Sequence, residues 1–334
     1  MKRRDFLRGS GATAAAIAGA GPAAPQPVEP PEVIDAHAHL PLARFGGPLA
    51  GRFSQPPTGD GPETEFARRL AEGLSAPDLE PIARLRLSEL DRLGVSRSVL
   101  MPIDFGPPAE GEDRHWEETE AIAAVARRWP ERFIAFIGLD PRRGPEGLAR
   151  VERAARTLGV RGVKLHPLAG FFPDDRPTCY PLYDLCVELD LAVTGHCRPL
   201  GLGPRDEASR PERYARVAAD FPRLRLCLGH CGGAPWREAA LGVLEAHPNA
   251  YGDLSTHQRF HAEAPATFGD FLRRALNGPA RERVMYGTDW PTVRELDARW
   301  IQALRGEGTA GEPPLAEADR RALLSANARR FLAL

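Results

Sequence analysis

The sequence predicts an α/β fold, a (β/α)8 barrel of the TIM type that forms a single domain after an N-terminal export signal. The chain has 334 residues, 43% of them apolar, which is enough for one large core. After residue 31, short β-branched or apolar runs alternate with longer helical patterns, the order expected of parallel strands and crossover helices. Eight such units occur, and eight is the number that closes a barrel.

The first 30 residues predict a twin-arginine-type signal peptide and a Pro-rich linker, which leaves residues 31–334 for the barrel. Arg3 and Arg4 precede Phe6, Leu7 and a run of small residues, as in twin-arginine export signals. The run is too short and too rich in glycine to span a membrane. We therefore expect export to the periplasm by the twin-arginine machinery, without stable membrane insertion.

Charge and cysteine content argue against several other classes of protein. Lys and Arg number 44 against 45 Asp and Glu, a formal net charge of -1, so no global field attracts a polyanion. Nucleic acid is therefore not expected as a partner, whereas a homo-oligomer stays open. The five cysteines are an odd number without a CxxC pair, which supports neither a disulfide framework nor a zinc ribbon.

The predicted strands and helices follow from these alternating patterns. The strands span residues 33–40, 96–103, 133–139, 159–166, 191–197, 224–230, 250–254 and 283–288. The helical stretches between them include residues 64–93, 116–129, 146–158, 212–221 and 236–247. The Gly- and Pro-rich residues 41–62 are predicted to form a loop over the barrel mouth, either as a lid or as a passive surface loop.

A doubly wound open sheet is the alternative fold. It would carry a Gly-rich phosphate-binding turn after its first strand, but His37-Ala38-His39 stands there instead. Residues two apart in a strand point to the same face, so His37 and His39 project together into the barrel. Two imidazoles at this spacing are suited to holding one divalent ion.

Four later strands also end in polar residues, at His166, His196, His230 and Asp289. The carboxyl ends of barrel strands meet at one face, where the active sites of this fold are built. Five of the nine histidines fall at predicted strand ends, a convergence that core packing does not explain. The sequence therefore predicts a site at this face.

The motifs together resemble the amidohydrolase-related family. They are H-x-H at residues 37–39, G-V-K-L-H-P at 162–167, a strand-end histidine at 196, H-C-G-G at 230–233, G-T-D-W-P at 287–291 and S-A-N-A-R at 325–329. The likeness spans roughly residues 33–334. That family contains metal-dependent hydrolases and non-oxidative decarboxylases on a (β/α)8 barrel, so the resemblance implies an enzyme of this kind.

The resemblance implies that His37, His39, His196 and Asp289 bind a metal and that His230 acts as acid/base or as a second-metal ligand. Three imidazoles and a carboxylate suit one zinc ion, with Mn or Fe as alternatives. Metal-bound water has a pKa near 7, and Asp289, the only carboxylate expected at these strand ends, would accept its proton. A two-metal site with carboxylated Lys164 is the second possibility.

Six further residues are expected near the substrate. Arg44, Arg52 and Arg198 are candidates for holding a substrate carboxylate. The other three are Lys164, His166 and Trp290, of which Lys164 is also the alternative second-metal ligand. By strand alternation, Cys197 and Cys231 should turn away from the site and pack as small apolar residues.

Three functions stay open at this point, in order of preference. The first is hydrolysis of a C–O or C–N bond in a lactone, ester or cyclic amide by metal-activated water. The second is non-oxidative decarboxylation of a small aromatic or enol carboxylate on the same metal. The H-x-H motif, rather than the E-x-H of some decarboxylase branches, favours the first. The third is a non-catalytic exported barrel that only binds a ligand.

Overall fold

The computed structural model describes residues 31–41, 62–106, 114–306 and 315–334. Its eight strands form one parallel sheet in which each strand pairs with its neighbours in chain order. The strands are β1 (Ile34–Ala38), β2 (Arg97–Leu100), β3 (Phe133–Gly138), β4 (Gly162–Leu165), β5 (Ala192–His196), β6 (Leu226–Gly229), β7 (Ala250–Asp253) and β8 (Val284–Met285).

The sheet closes on itself where β8 and the residues after it meet β1. Ala36 N donates to Tyr286 O at 3.0 Å, and Asp289 N donates to His37 O at 2.8 Å. A parallel bridge joins Ala38 to Trp290. The predicted α/β barrel is therefore confirmed, and the first and last strands lie side by side.

Most of the helices cover the outside of the barrel. They are Pro62–Leu74, Glu80–Leu93, Arg114–Arg128, Gly144–Arg153, Arg176–Glu188, Pro211–Asp220, Gly233–Ala246, His257–Glu263, Pro265–Asn277, Asp297–Arg305, Glu317–Arg321 and Asn327–Leu332. Short π-helical segments at Ala154–Leu158 and Ala322–Ala326 continue two of these helices. None of the described helices is both long enough and apolar enough to cross a bilayer.

The prediction of one continuous helix over residues 64–93 is wrong. The structure has two helices there, Pro62–Leu74 and Glu80–Leu93, with a turn between them. Pro77 lies in that turn. A proline removes a backbone donor and disfavours the helical conformation of the residue before it, so a continuous helix cannot pass through this point.

Two apolar layers hold the barrel together. The larger lies between the strands and the surrounding helices and contains the buried Cys197 and Cys231, as expected from their alternation. The smaller fills the barrel interior, where Phe136 and Met285 meet Phe331 from the C-terminal helix. Phe331 lies at the end of the barrel opposite the strand carboxyl ends and closes it there.

A buried ion pair stabilises the contact between β1 and the residues after β8. Asp35 and Arg86 are both fully buried and hydrogen-bonded to each other. Asp35 also accepts hydrogen bonds from Thr288 N at 2.9 Å and Thr288 Oγ1 at 2.8 Å. The pair thereby fixes the backbone immediately before Asp289.

The start and the end of the described barrel also touch each other. Glu32 accepts a hydrogen bond of 2.9 Å from Ser325 Oγ and pairs with Arg329 at 2.9 Å. Residues from Glu32 to Leu334 form one compact unit. The predicted signal and linker, residues 1–30, and residues 42–61 of the predicted mouth loop lie outside the described residues, so both stay predictions.

Candidate active site

His37 and His39 each use one ring nitrogen to fix their orientation. His37 Nδ1 lies 2.9 Å from Asp253 Oδ2, and His39 Nδ1 lies 2.6 Å from the carbonyl oxygen of Met101. A carboxylate and a carbonyl can only accept, so both Nδ1 atoms carry hydrogen. In the neutral rings the lone pairs are therefore on Nε2, as in metal-binding histidines oriented by neighbouring acceptors.

Both Nε2 atoms face Asp289, which follows β8. Asp289 Oδ1 lies 3.2 Å from His39 Nε2 and 3.7 Å from His37 Nε2. Asp289 has a φ of 58°, a left-handed conformation that is uncommon for a residue other than glycine. The hydrogen bond from its N–H to His37 O and the Asp35 contacts to Thr288 hold this turn in place.

This donor set fits a divalent cation. Two imidazole lone pairs face a carboxylate oxygen, and nitrogen and oxygen atoms of these kinds can bind one divalent ion. Burial, followed by the charge of Lys164, lowers the pKa of His37. Burial alone would raise the pKa of Asp289, but contact with His39 and the charge of His37 outweigh it and lower that pKa. A neutral His37 and an ionised Asp289 are the forms that bind metal.

His230 lies beside this group, and its backbone is also left-handed, with a φ of 68°. Its ring centroid is 4.6 Å from that of His37. Among the described residues, the ligand atoms of His37, His230 and Asp289 lie within 4.8 Å of one another. Burial, followed by the charge of His37, places the pKa of His230 well below its usual value, so this ring is neutral at pH 7.

His196 faces His230 rather than Asp289. His196 Nε2 is 3.1 Å from the carbonyl oxygen of Arg198, so this nitrogen carries hydrogen. His196 Nδ1 then faces His230 Nε2 at 3.1 Å. The predicted role of His196 as the fourth ligand stays a prediction, and the structure places its unprotonated nitrogen against the predicted acid/base residue.

Asp253, the last residue of β7, is a central residue of the site that the sequence reasoning missed. It is fully buried and bonds His37 through one oxygen, while the other accepts from the N–H groups of His230 at 3.2 Å and Ser255 at 3.1 Å. Hydrogen bonds and neighbouring charges overcome burial and lower its pKa. The expectation that Asp289 would be the only carboxylate at these strand ends is therefore wrong.

Lys164, His166 and Arg198 border the same space. Lys164 Nζ, nearly fully buried, lies 3.0 Å from His37 Nε2, and burial lowers the pKa of Lys164 to about 8. The rings of His166 and His196 are tilted towards each other with centroids 4.7 Å apart, and burial lowers the pKa of His166 to about 3. Arg198 is partly exposed, and its charge helps to lower the pKa of His196 and of His230.

Trp290, a predicted substrate contact, packs beside other residues of the barrel. Trp290 is fully buried, lies under the guanidinium of Arg86 and packs edge-on against Phe66. It directly follows Asp289, and the chain turns its indole away from the site. Its expected contact with substrate is therefore wrong. Arg44 and Arg52 lie outside the described residues, and their roles stay predictions.

His257 is a further neighbour of the site, although it does not stand at one of the predicted strand ends. It is buried on the short helix after β7, and its Nε2 lies 3.0 Å from the carbonyl oxygen of His230. It therefore supports the left-handed turn that carries His230. The segment Asp253-Leu254-Ser255-Thr256-His257 follows a predicted strand, so the strand-end argument that found the other residues applies to it as well.

The fold and this site define the class of protein. A family model described as amidohydrolase matches residues 34–334, and the chain belongs to that family of enzymes. A 2-amino-3-carboxymuconate-6-semialdehyde decarboxylase from Dictyostelium discoideum is 24% identical over 306 residues, covering 81% of this chain and 80% of the relative.

Two other similarities are a partial sequence match and a shared fold. A 2-keto-4-carboxy-3-hexenedioate hydratase from Sphingobium sp. (strain NBRC 103272 / SYK-6) is 31% identical over 134 residues, covering 34% of this chain and 39% of the relative. The crystal structure of a 5-carboxyvanillate decarboxylase from Novosphingobium aromaticivorans, complexed with manganese and a nitrobenzoic acid, has a TM-score of 0.68 at 15% identity. It covers 91% of this chain and 96% of that chain.

These relatives correct the expected reaction. Hydrolysis of a C–O or C–N bond was preferred from the sequence, and this preference is wrong. The curated relative that matches most of the chain is a decarboxylase. The H-x-H motif carried too much weight in that preference, since it describes how the metal is held and not which bond breaks.

Proposed function

We propose that this protein is a metal-dependent, non-oxidative decarboxylase of a small aromatic or enol carboxylate. The observation that carries the proposal is the likeness to the Dictyostelium decarboxylase along about four fifths of both chains. The site supplies the groups that this reaction needs, which are cations for a carboxylate and a histidine that can deliver a proton to carbon.

His37, His39 and Asp289 are the residues that would hold a divalent metal, with His196 as the predicted fourth ligand. Zinc and manganese are both candidates: the donor set suits zinc, and the Novosphingobium decarboxylase contains manganese. A bound divalent ion would supply positive charge that holds substrate oxygens and stabilises the negative charge formed during the reaction.

The protein's own groups would handle charge and protons. Lys164 and Arg198 border the site and can hold the substrate anion by charge-assisted hydrogen bonds. When the C–C bond to the carboxylate breaks, CO2 leaves and the electron pair stays on the ring or enol carbon. His230 would take up a proton from solvent and deliver it to that carbon, so the overall change is replacement of CO2 by H.

A panel of hydroxylated benzoates and enol carboxylates tests the proposal. The zinc- or manganese-loaded protein should release CO2 from at least one of them, detected with a carboxyl-labelled substrate and by the product's loss of one carboxyl group. His230→Asn should lower kcat by about 100-fold or more, as expected for loss of a general acid. Turnover of lactones or esters without any CO2 release would contradict decarboxylation.

Hydration of a carbon–carbon double bond is the second candidate, and the partial match to the Sphingobium hydratase favours it. It would also need a metal and a proton donor to carbon. The same panel, extended to unsaturated keto diacids, separates the two reactions because hydration adds water to the substrate and releases no CO2.

A further inference from the structure

Phe105 is an exposed aromatic residue at the edge of the site. Its side chain is 42% exposed, in the loop that follows β2. Its ring centroid lies 5.3 Å from that of His166, and the ring of His166 is 4.7 Å from that of His196. A single ring therefore separates Phe105 from a predicted metal ligand. Because exposed apolar residues are common on protein surfaces, this position matters only if the fold holds Phe105 there.

The backbone on both sides of Phe105 is held in place. Asp104, the residue before it, is buried and accepts a hydrogen bond of 2.7 Å from Arg143 Nε. Gly106, the residue after it, donates to Asp104 Oδ1 and accepts from Arg143 Nη2, both at 3.0 Å. Gly106 has a φ of 104°, and a side chain there would meet Arg142 Nη2 at 2.7 Å, so the turn requires glycine. The fold therefore presents Phe105 from a fixed turn.

Phe172 has a similar exposure, 45%, at the same end of the barrel, but its ring faces a different group. The guanidinium of Arg213 lies over it, 4.0 Å from the ring centroid. Arg213 belongs to the helix Pro211–Asp220 and also donates to Asp174 Oδ1 at 2.9 Å. The ring of Phe172 thus packs against a surface ion pair, whereas the ring of Phe105 faces a histidine that borders the site.

We propose that Phe105 is a specificity-determining residue that packs against a flat, unsaturated face of the substrate, at the end away from the carboxylate. Lys164 and Arg198 offer cations to the carboxylate, and Phe105 adds the apolar surface that a site for a small organic molecule also needs. The proposal rests on the proposed function for the reaction, whereas the contact of Phe105 with a bound carboxylate does not depend on which bond breaks.

The contact should act on binding and not on the chemical step, because Phe105 lies away from the bond that breaks. A well-placed pair of flat rings increases affinity by about 2- to 10-fold beyond the effect of the apolar area that it buries. Phe105→Leu keeps most of the apolar area but has no flat face. Phe105→Ala loses both, so its affinity should fall further.

The test measures binding of two probes to the zinc-loaded protein by calorimetry. Benzoate and cyclohexanecarboxylate have the same charge and a six-membered ring, but only benzoate is flat. The wild type should bind benzoate about 2- to 10-fold more tightly, and Phe105→Leu should bind both probes about equally. Phe105→Ala should raise the Kd of benzoate by about 10-fold or more. Unchanged melting temperatures would show that both variants are folded.

Phe172→Leu is the matched control, since it makes the same change at an equally exposed phenylalanine and should keep the preference of the wild type. A wild type that binds neither probe, or both equally, would overturn the proposal. So would an unchanged Kd of benzoate in Phe105→Ala, or the same loss of preference in Phe172→Leu.

Kinetics separate this proposal from the proposed function. On a substrate that the wild type decarboxylates, Phe105→Ala should raise KM by about 10-fold and change kcat by less than about 3-fold, as expected for a contact equally strong in the ground and transition states. Decarboxylation with an unchanged KM in Phe105→Ala would support the reaction and overturn the role of Phe105. If no substrate is decarboxylated, the proposed function fails, and calorimetry alone decides the role of Phe105.

Discussion

His39 and Asp289 are held in ways that make their contribution to metal binding testable. The Met101 carbonyl orients His39 through Nδ1, and the turn after β8 holds Asp289, so shortening either side chain removes a ligand atom and leaves the barrel intact. His39→Ala and Asp289→Ala should each lose most of the bound zinc or manganese, measured by elemental analysis, with an unchanged circular dichroism spectrum.

His247→Ala is the control for this experiment, because His247 lies at the end of the helix Gly233–Ala246 and away from the cluster. It should keep the metal content of the wild type. Metal should also raise the melting temperature of the wild type and of His247→Ala, since a ligand that binds only the folded chain stabilises it. Full metal binding by Asp289→Ala would contradict the assignment of Asp289.

At the residue scale, the sequence identified the histidines of the site because strand alternation and strand ends are simple geometric rules. Asp253 and Ser255 obey the same rules, yet neither belongs to a familiar motif. Trp290 was expected near the substrate because it lies in a loop after a strand end, but it is fully buried under the guanidinium of Arg86. The contact between His196 and His230 depends on two ring orientations, which no spacing in the sequence encodes.

At the scale of secondary structure elements, an ion pair links the loops that follow β2 and β3. Asp104 accepts two hydrogen bonds from Arg143, at 2.7 Å and 2.9 Å, and a third from Asp140 N at 2.7 Å. Burial opposes the ionisation of Asp104, but these contacts outweigh it and lower its pKa to about 2. The carboxylate should therefore stabilise the folded state in a way that depends on pH.

The sign of this dependence follows from the lowered pKa. The unfolded chain has a carboxyl pKa near 3.9, so the stabilisation is fully present well above that pH and is lost as the pH falls through 4 towards 2. Asp104→Asn should lower the free energy of unfolding by about 2 kcal/mol at pH 7, and by less as the pH approaches 3, measured by urea denaturation.

Asp91→Asn is the control for this prediction. Asp91 pairs with Arg132 at 2.7 Å, but its side chain is 67% exposed, and exposed pairs contribute little. A loss of stability in Asp104→Asn that is the same at pH 7 and at pH 3 would show that the charge of Asp104 is not its cause.

The elements themselves were predicted better than their boundaries. All eight strands were found, but the hydrogen-bonded part is shorter than the apolar run in most of them, and β8 contains only Val284 and Met285. The turn at Pro77 was missed, and the helices Arg176–Glu188 and Pro265–Asn277 lie in connections for which no helix bounds were predicted. Each of these two helices has a proline in its first turn, which a helix tolerates there but which breaks the apparent helical pattern.

At the scale of the whole molecule, the site is assembled from the first and the last strand of the barrel. His37 and His39 belong to β1 and Asp289 follows β8, so the ligands come together only when the last strand has paired with the first. His37, His39, His230 and Asp289 are neighbours in the structure because the barrel brings its strand ends to one face. Which reaction occurs there depends on side chains around the metal ligands that the family motifs leave free to vary.

The contact of Glu32 with Ser325 and Arg329 means that the covalent order of the barrel can be changed. Leu334 N donates to Arg329 O at 3.1 Å, so the last residue also lies near this contact. A linker of roughly six Gly and Ser residues could join residue 334 to residue 32. New termini at Gly159, in the short connection before β4 and on the side away from the site, would then give a circular permutant that folds and binds metal like the parent.

New termini between Gly201 and Leu202 provide the contrasting permutant. Asp206 holds the backbone N–H groups of both residues, at 3.1 Å and 3.0 Å, in the loop that carries Arg198. This second permutant should keep the barrel but lose activity. If opening the chain at Gly159 abolished folding, the order in which the strands are joined, and not only their final contacts, would be essential for building this barrel.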